Sequence, residues 1–259
     1  MSLLEIHDLS ITFGGLKALN QVSFEVKTGE IFSLIGPNGA GKTTIFNCIS
    51  GFYKPDQGSI IFKGKDINSW NPHEIANLGI ARSFQNLELF ANATVLDNLL
   101  LGTQLNNKTN FFQEMIFTSK VVKQEVENRK RVEKVIDFLN LQPYRRIIVK
   151  NIPYGIQKLV ELGRALTMEP AILLLDEPSA GMNLEEVNDL IWYLLYIKYD
   201  LVISILLVEH TIRLVMKLSD RIAVLSMGCL IAKGTPPEVR QDPEVIKAYL
   251  GGRERHAEY

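Results

Sequence analysis

The residues best placed to do chemistry are the run Gly36-Pro37-Asn38-Gly39-Ala40-Gly41-Lys42-Thr43-Thr44. A glycine pair flanking four residues, followed by lysine and a hydroxyl residue, is the phosphate-binding loop pattern. Glycine permits tight turns, so successive backbone N–H groups converge on phosphate oxygens. In such a cradle Lys42 reaches the β- and γ-phosphates, and the Thr43 hydroxyl sits on Mg²⁺. From Thr44 to Ser50 the chain reads as the start of a helix, whose positive N-terminus adds to the anion site. The pattern predicts binding of a nucleoside triphosphate.

A second acidic run lies far downstream, at Ile172-Leu173-Leu174-Leu175-Asp176-Glu177. It reads as a buried strand ending where Asp176 can hold Mg²⁺ through water. Glu177 comes next, placed to accept a proton from an attacking water. Apolar strands ending in acids are common, so this run gains weight only beside the phosphate loop. His210 follows another apolar run, Leu206-Leu207-Val208-Glu209, whereas His7, His73 and His256 have no such setting.

These groups need a scaffold. The buried run Ile31–Ile35 must deliver the glycine loop. Further β patterns fall at Ile80–Phe84, Ala171–Leu175, Val202–Val208, Ile222–Leu225 and Leu230–Ala232, with helical patterns between several of them. This alternation predicts an α/β fold with a mainly parallel, doubly covered sheet. Ile6, Leu9 and Ile11 pair in pattern with Val22, Phe24 and Val26 across the turn Gly14-Gly15, and residues 58–64 suggest a further hairpin. No strand pattern occurs from Thr94 to Leu141. There Val122, Val126, Val132, Val135, Ile136 and Leu139 recur at helical spacing, with a loop expected at Asn106–Asn110. After Pro236-Pro237, Val239, Val245, Ile246 and Leu250 predict a docking helix.

The chain has 259 residues, 46% hydrophobic and 22% charged, enough for one unit with a sizeable core. Formal net charge is −1, from 28 basic and 29 acidic residues, so no basic field points to nucleic acid. Cys48 and Cys229 lack metal-ligand spacing, and no leader pattern opens the sequence, which together suggest a reduced cytosolic setting. The apolar stretch Leu190–Val208 is broken by Lys198 and Asp200, short of the ~20 residues a membrane span needs. It reads as a helix ending near Lys198, a turn, and a strand over Leu201–Val208.

With the phosphate loop and the acidic run in place, nearly the whole chain resembles the ATP-binding cassette family. Gln85 matches that family's Q-loop glutamine, Mg²⁺ ligand and sensor of the transmembrane partner. His210 matches the switch histidine at the γ-phosphate, Phe13 the aromatic that stacks on adenine, and Ser179–Asn183 the D-loop at the dimer interface. The signature departs most: Ile152-Pro153-Tyr154-Gly155-Ile156, then Gln157, stands where the family has Leu-Ser-Gly-Gly-Gln. Only Gly155 is kept, although Glu161, Gly163-Arg164-Ala165-Leu166 supports the alignment. Losing the serine hydroxyl removes one charge-assisted hydrogen bond, about 1.5–3 kcal/mol of nucleotide clamping. Asn183 replaces the D-loop aspartate and forms a capping-box pattern with Glu186.

The resemblance implies a P-loop NTPase (RecA-like) core with an antiparallel β subdomain and an inserted α-helical subdomain. The expected bounds are 1–87 and 161–235 for the core, 88–160 for the helical insertion with the signature, and 236–259 for the C-terminal helix and tail. It implies an ATPase that uses ATP and Mg²⁺, with catalytic Glu177, His210 and Lys42. Gly36, Pro37, Asn38, Gly39, Ala40, Gly41, Thr43, Thr44, Phe13 and Gln85 would join Lys42 and His210 around ATP. Thr43, Gln85 and Asp176 would hold Mg²⁺. Pro153, Tyr154, Gly155 and Ile156 would act in trans on a second ATPase subunit, in a homodimer or a heterodimer. The other implied partners are transmembrane permease subunits and, indirectly, a solute-binding protein, with the chain on the cytoplasmic face of the membrane.

Finer details single out one subgroup. Tyr154-Gly155, Ala180-Gly181-Met182-Asn183, Arg82–Asn86 and the tail with Gly234-Thr235-Pro236 and Ala248-Tyr249-Leu250-Gly251 resemble branched-chain amino acid importer ATPases. Urea importer and lipopolysaccharide exporter ATPases share part of this signal. Nucleic-acid or translation factors on the same cassette carry a second cassette, zinc modules or long coiled coils, none of which is visible. Asn107-Lys108 lacks the aspartate of a GTPase base-selecting motif. Neither the transported solute nor the direction of transport follows from the ATPase chemistry.

Overall fold

The computed structural model describes residues 1–83, 88–104 and 119–254, without the side chains of 120 and 250–254. The expected loop at 106–110 and the glutamine Gln85 lie outside these residues. Two sheets form the framework. The smaller is antiparallel, in the order β2-β1-β4-β5, with β1 at Ser2–Phe13, β2 at Leu16–Lys27, β4 at Gln57–Phe62 and β5 at Lys65–Asp66. Alternate residues Leu4, Ile6, Leu19, Val22, Phe24 and Val26 turn to one buried face.

The larger sheet has the order β10-β9-β3-β8-β7-β6. It comprises β3 (Ile31–Ile35), β6 (Ile80–Arg82), β7 (Ile172–Asp176), β8 (Ser204–Val208), β9 (Arg221–Ser226) and β10 (Cys229–Gly234). All neighbours pair parallel except β9 and β10. Every residue of β3, β7 and β8 is buried, as expected for strands covered on both faces. Alternation then sorts their side chains between two cores. Phe32, Leu34, Leu174, Leu206 and Val208 join α1 (Lys42–Ile49) and the small sheet. Ile31, Leu173, Leu175, Ile205 and Leu207 join the helices of the opposite face.

Those helices include α3 (Val95–Thr103), α4 (Ser119–Phe138), α5 (Tyr154–Thr167) and α6 (Leu184–Tyr199). The short α2 (Pro72–Leu78) and α7 (Ile212–Leu218) lie before β6 and after β8. The capping boxes of Thr94 with Asp97 and of Asn183 with Glu186 fix the starts of α3 and α6.

Several expectations need correction. The strand read from Leu201 begins only at Ser204: Val202 adopts φ 55°, and Ile203 N–H donates to the Ile197 carbonyl, so this apolar stretch finishes the helix turn instead. Val132 and Ile136 of α4 and the following Leu139 are buried in the core and Val135 packs against it, whereas Val122 and Val126 extend beyond its cover and stay exposed. The tail forms two helices, α8 (Pro236–Gln241) and α9 (Pro243–Glu254), broken at Asp242 before Pro243. Val239 and Val245 are buried there as expected, but Ile246 faces outward. The strand expected over Ile80–Phe84 runs Ile80–Arg82 among the described residues.

Candidate active site

Strand order brings the chemistry together. β7 pairs with β8 and β8 with β3, all parallel, so the chain leaves the sheet at one edge after each of them. That edge gathers the glycine loop after β3, Asp176 at the end of β7 with Glu177 after it, and Glu209-His210 after β8, the ends where open parallel sheets bind ligands. A cleft of about 770 Å³ joins them, lined by residues 38–44, Glu177 and His210. Leu16, Lys17, Ala18, Met227 and Gly228 complete its wall. Motif reading missed these five, since their nearness to the loop arises only from folding.

Gly41 caps α1 in the left-handed region at φ 102°, where a Cβ would lie 2.6 Å from a Leu19 methyl and 2.8 Å from the Ala18 carbonyl oxygen. Only glycine fits both the conformation and the space. Lys42 is buried, and its Nζ donates to the carbonyl oxygens of Gly36 at 2.8 Å and Pro37 at 3.0 Å. Burial lowers its pKa, opposed by the charges of Glu177 and Asp176. Thr43 is exposed at the mouth of the loop.

Asp176 ends β7, one residue before Glu177, and is only 1% exposed. Neither carboxylate oxygen has a hydrogen-bond partner, and Arg82 Nη2 stands 3.6 Å from Oδ2, beyond hydrogen-bond range. Burial raises the Asp176 pKa, with Arg82 the largest opposing charge. Buried oxygens without partners normally signal a missing cation or water. Among the described residues no group of three or more His, Cys, Asp or Glu forms a metal cage. One carboxylate and one hydroxyl beside a phosphate cradle suit Mg²⁺, which keeps waters and phosphate oxygens as its other ligands. The site therefore fits the ion.

Glu177 takes φ 51°, costing about 1–2 kcal/mol for a non-glycine residue. Its N–H donates to the Val208 carbonyl at 2.8 Å, extending the β7–β8 ladder by one step. The turned side chain puts Oε1 2.8 Å from His210 Nε2. An acid and an imidazole so placed can pass a proton between them. Glu209, 3% exposed, accepts from three backbone groups: Ser179 N–H at 2.9 Å, His210 N–H at 3.1 Å and Thr211 N–H at 3.4 Å. Nothing in the sequence distinguished it from an ordinary strand-end acid.

Other expected site residues lie apart. Phe13 is exposed at the end of β1, edge-on to Tyr53 with ring centroids 5.1 Å apart, and does not line the cleft. Pro153 precedes α5 as its N-cap, with no side-chain cap bond. Tyr154, Gly155 and Ile156 form the first turn of α5, with the Tyr154 ring beside Gly181. A Cβ on Gly181 would meet Tyr154 Cε1 at 2.8 Å, and one on Gly155 would meet Glu186 Oε1 at 2.2 Å. Glu186 also accepts from Asn183 N–H at 2.8 Å, closing the capping box of α6.

Comparison with known proteins places this geometry in context. The family model described as ABC transporter matches residues 19–180, and one described as branched-chain amino acid ATP-binding cassette transporter matches 229–255. The chain is 41% identical to the high-affinity branched-chain amino acid transport ATP-binding protein LivG of Salmonella typhimurium, over 96% of this chain and 98% of that one. It is 39% identical to the corresponding protein BraF of Pseudomonas aeruginosa, with the same coverage. The solved ADP conformation of an ATP-binding cassette from an ABC transporter superposes with a TM-score of 0.84 at 34% identity, over 97% of this chain and 99% of that one. Family models, full-length relatives and fold agree: this chain belongs to the ABC transporter family, as an ATP-binding protein of its branched-chain amino acid subgroup.

Proposed function

We propose that this chain is the ATP-hydrolysing subunit of a membrane importer of branched-chain amino acids. The observation that carries the reading is the Glu177–His210 pair, 2.8 Å apart, opening into the same cleft as the lysine-bearing glycine loop. Lys42 and the loop amides hold the phosphates. Glu177 takes the proton of the attacking water, and His210 orients the γ-phosphate. Thr43, Asp176 and Gln85 are the residues that would hold Mg²⁺, which supplies charge neutralisation at the β- and γ-phosphates. Phe13, beside Tyr53, offers the ring for adenine.

The subunit works as one half of a pair on the cytoplasmic face of the membrane. No described helix is long and apolar enough to cross a membrane, and the transport step is assigned to permease subunits. A groove of about 240 Å³ between Phe52, Ile75, Arg82, Arg164 and Met168 borders both the sheet and α5. It is the docking place for a short cytoplasmic helix of the permease. The first turn of α5 faces the partner's ATP. With Pro153 as N-cap, that contact rests on backbone amides and the helix dipole alone. Pairing with an unlike subunit would therefore make one composite site slower, and equal transport loss on mutating either catalytic glutamate would count against such asymmetry.

The test is Mg-ATP hydrolysis by Glu177→Gln. Turnover should fall about 10²–10⁴-fold, the usual contribution of a positioned base, while ATP still binds. Wild-type turnover removes Glu177 as the base.

A further inference from the structure

We propose that Glu209 is a positioning residue that holds the Glu177 and His210 loops in register, and thereby sets the rate of hydrolysis. This rests on the reading of Glu177 and His210 as the hydrolytic pair. β7 and β8 are bonded neighbours up to the pair Asp176–Val208, and Glu177 N–H adds one last bond to the Val208 carbonyl. Beyond that point the two chains diverge, and the buried Glu209 carboxylate bridges them. Oε1 accepts from Ser179 N–H, two residues past Glu177, while Oε2 accepts from the N–H groups of His210 and Thr211.

The bridge has work to do because Glu177 sits in the left-handed region. Such a conformation persists only where its surroundings over-determine it. On one side it is fixed by the ladder bond to Val208, and on the other by Glu209 gripping Ser179. The same carboxylate fixes the backbone of His210, so the 2.8 Å contact between the two side chains follows from a shared anchor. Both its oxygens are spent on backbone groups, which leaves Glu209 a positioning role and no direct part in bond making.

The experiment compares Glu209→Gln, His210→Ala and the double variant in the full chain. The amide keeps the size but brings its own N–H₂ against the N–H groups of one loop. Hydrolysis should fall at least about tenfold, since small misplacement of catalytic groups is costly. Affinity for ATP, read by calorimetry without Mg²⁺, should stay within about twofold, because the glycine loop is untouched. In the His210→Ala background, where only Glu177 remains to be held in place, the Glu209 change should cost less than it does in the parent chain. Undiminished hydrolysis, a parallel loss of ATP affinity, or fully multiplicative losses would each overturn the proposal. Should Glu209→Gln not fold, Glu209→Asp carries the same test, its side chain one methylene too short to span both loops. Glu177→Gln separates the readings: normal turnover there refutes the hydrolytic pair, whereas lost turnover there with unchanged Glu209→Gln refutes only this bridge.

Discussion

Arg82 Nη2 stands 3.6 Å from Asp176 Oδ2 with both side chains buried. The guanidinium offsets the burial of the carboxylate without cancelling it, and the Asp176 pKa remains above its ordinary value of 3.8. The folded chain therefore binds this proton more tightly than the unfolded chain. Ionised Asp176 destabilises the fold at neutral pH, and the penalty lifts as pH falls through the raised folded value toward 3.8. In buffer without Mg²⁺ or nucleotide, Asp176→Asn should melt above the parent chain at pH 7, by on the order of 2–4 °C. The gap should close in acid. Melting curves that coincide from neutral to acid pH would contradict this.

Lys42 holds two loop carbonyls and faces the cleft, so its charge-assisted bonds can be exchanged for phosphate oxygens. Lys42→Met should weaken ATP binding about 10–150-fold, the equivalent of about 1.5–3 kcal/mol. Calorimetry in a Glu177→Gln background separates binding from turnover. Unchanged affinity would remove Lys42 from the phosphate site.

Gly181 combines φ 78° with a Tyr154 ring atom 2.8 Å from where its Cβ would stand. Gly181→Ala should destabilise by about 1–3 kcal/mol, from backbone strain and overpacking together. In a Tyr154→Ala background the cost should drop to about 1 kcal/mol, the strain alone. Urea melts of the four chains measure this coupling. Additive losses would mean that the ring yields freely.

Phe13→Ala should weaken ATP binding by about 1 kcal/mol, roughly fivefold, through loss of one aromatic contact. Equal affinity in the two chains would leave Phe13 as a partner of Tyr53 only.

The legible parts of this molecule were those written in contiguous residues. The glycine loop and the buried runs Ile31–Ile35 and Ile172–Asp176 stood out because sterics and burial leave few alternatives for such patterns. Asn183 and Glu186 were readable as a cap for the same local reason. Leu16, Lys17, Ala18, Met227 and Gly228 were not, since strand pairing across the chain brings them to the cleft. Glu209 stayed hidden because an acid after an apolar strand looks alike whether it meets water or three backbone N–H groups. The Leu201-Val202 pair misled because apolar character says nothing of φ. Periodicity at Val122 and Val126 identified a helix, and only the packing decided which turns were covered.

The contact between Gly155 and Glu186 has a mechanical meaning. Glu186 fills the space a Cβ would need at the start of α5, and with Asn183 it also clamps the start of α6. One side chain thus serves both helix starts, and any change in their separation has to be taken up by Glu186.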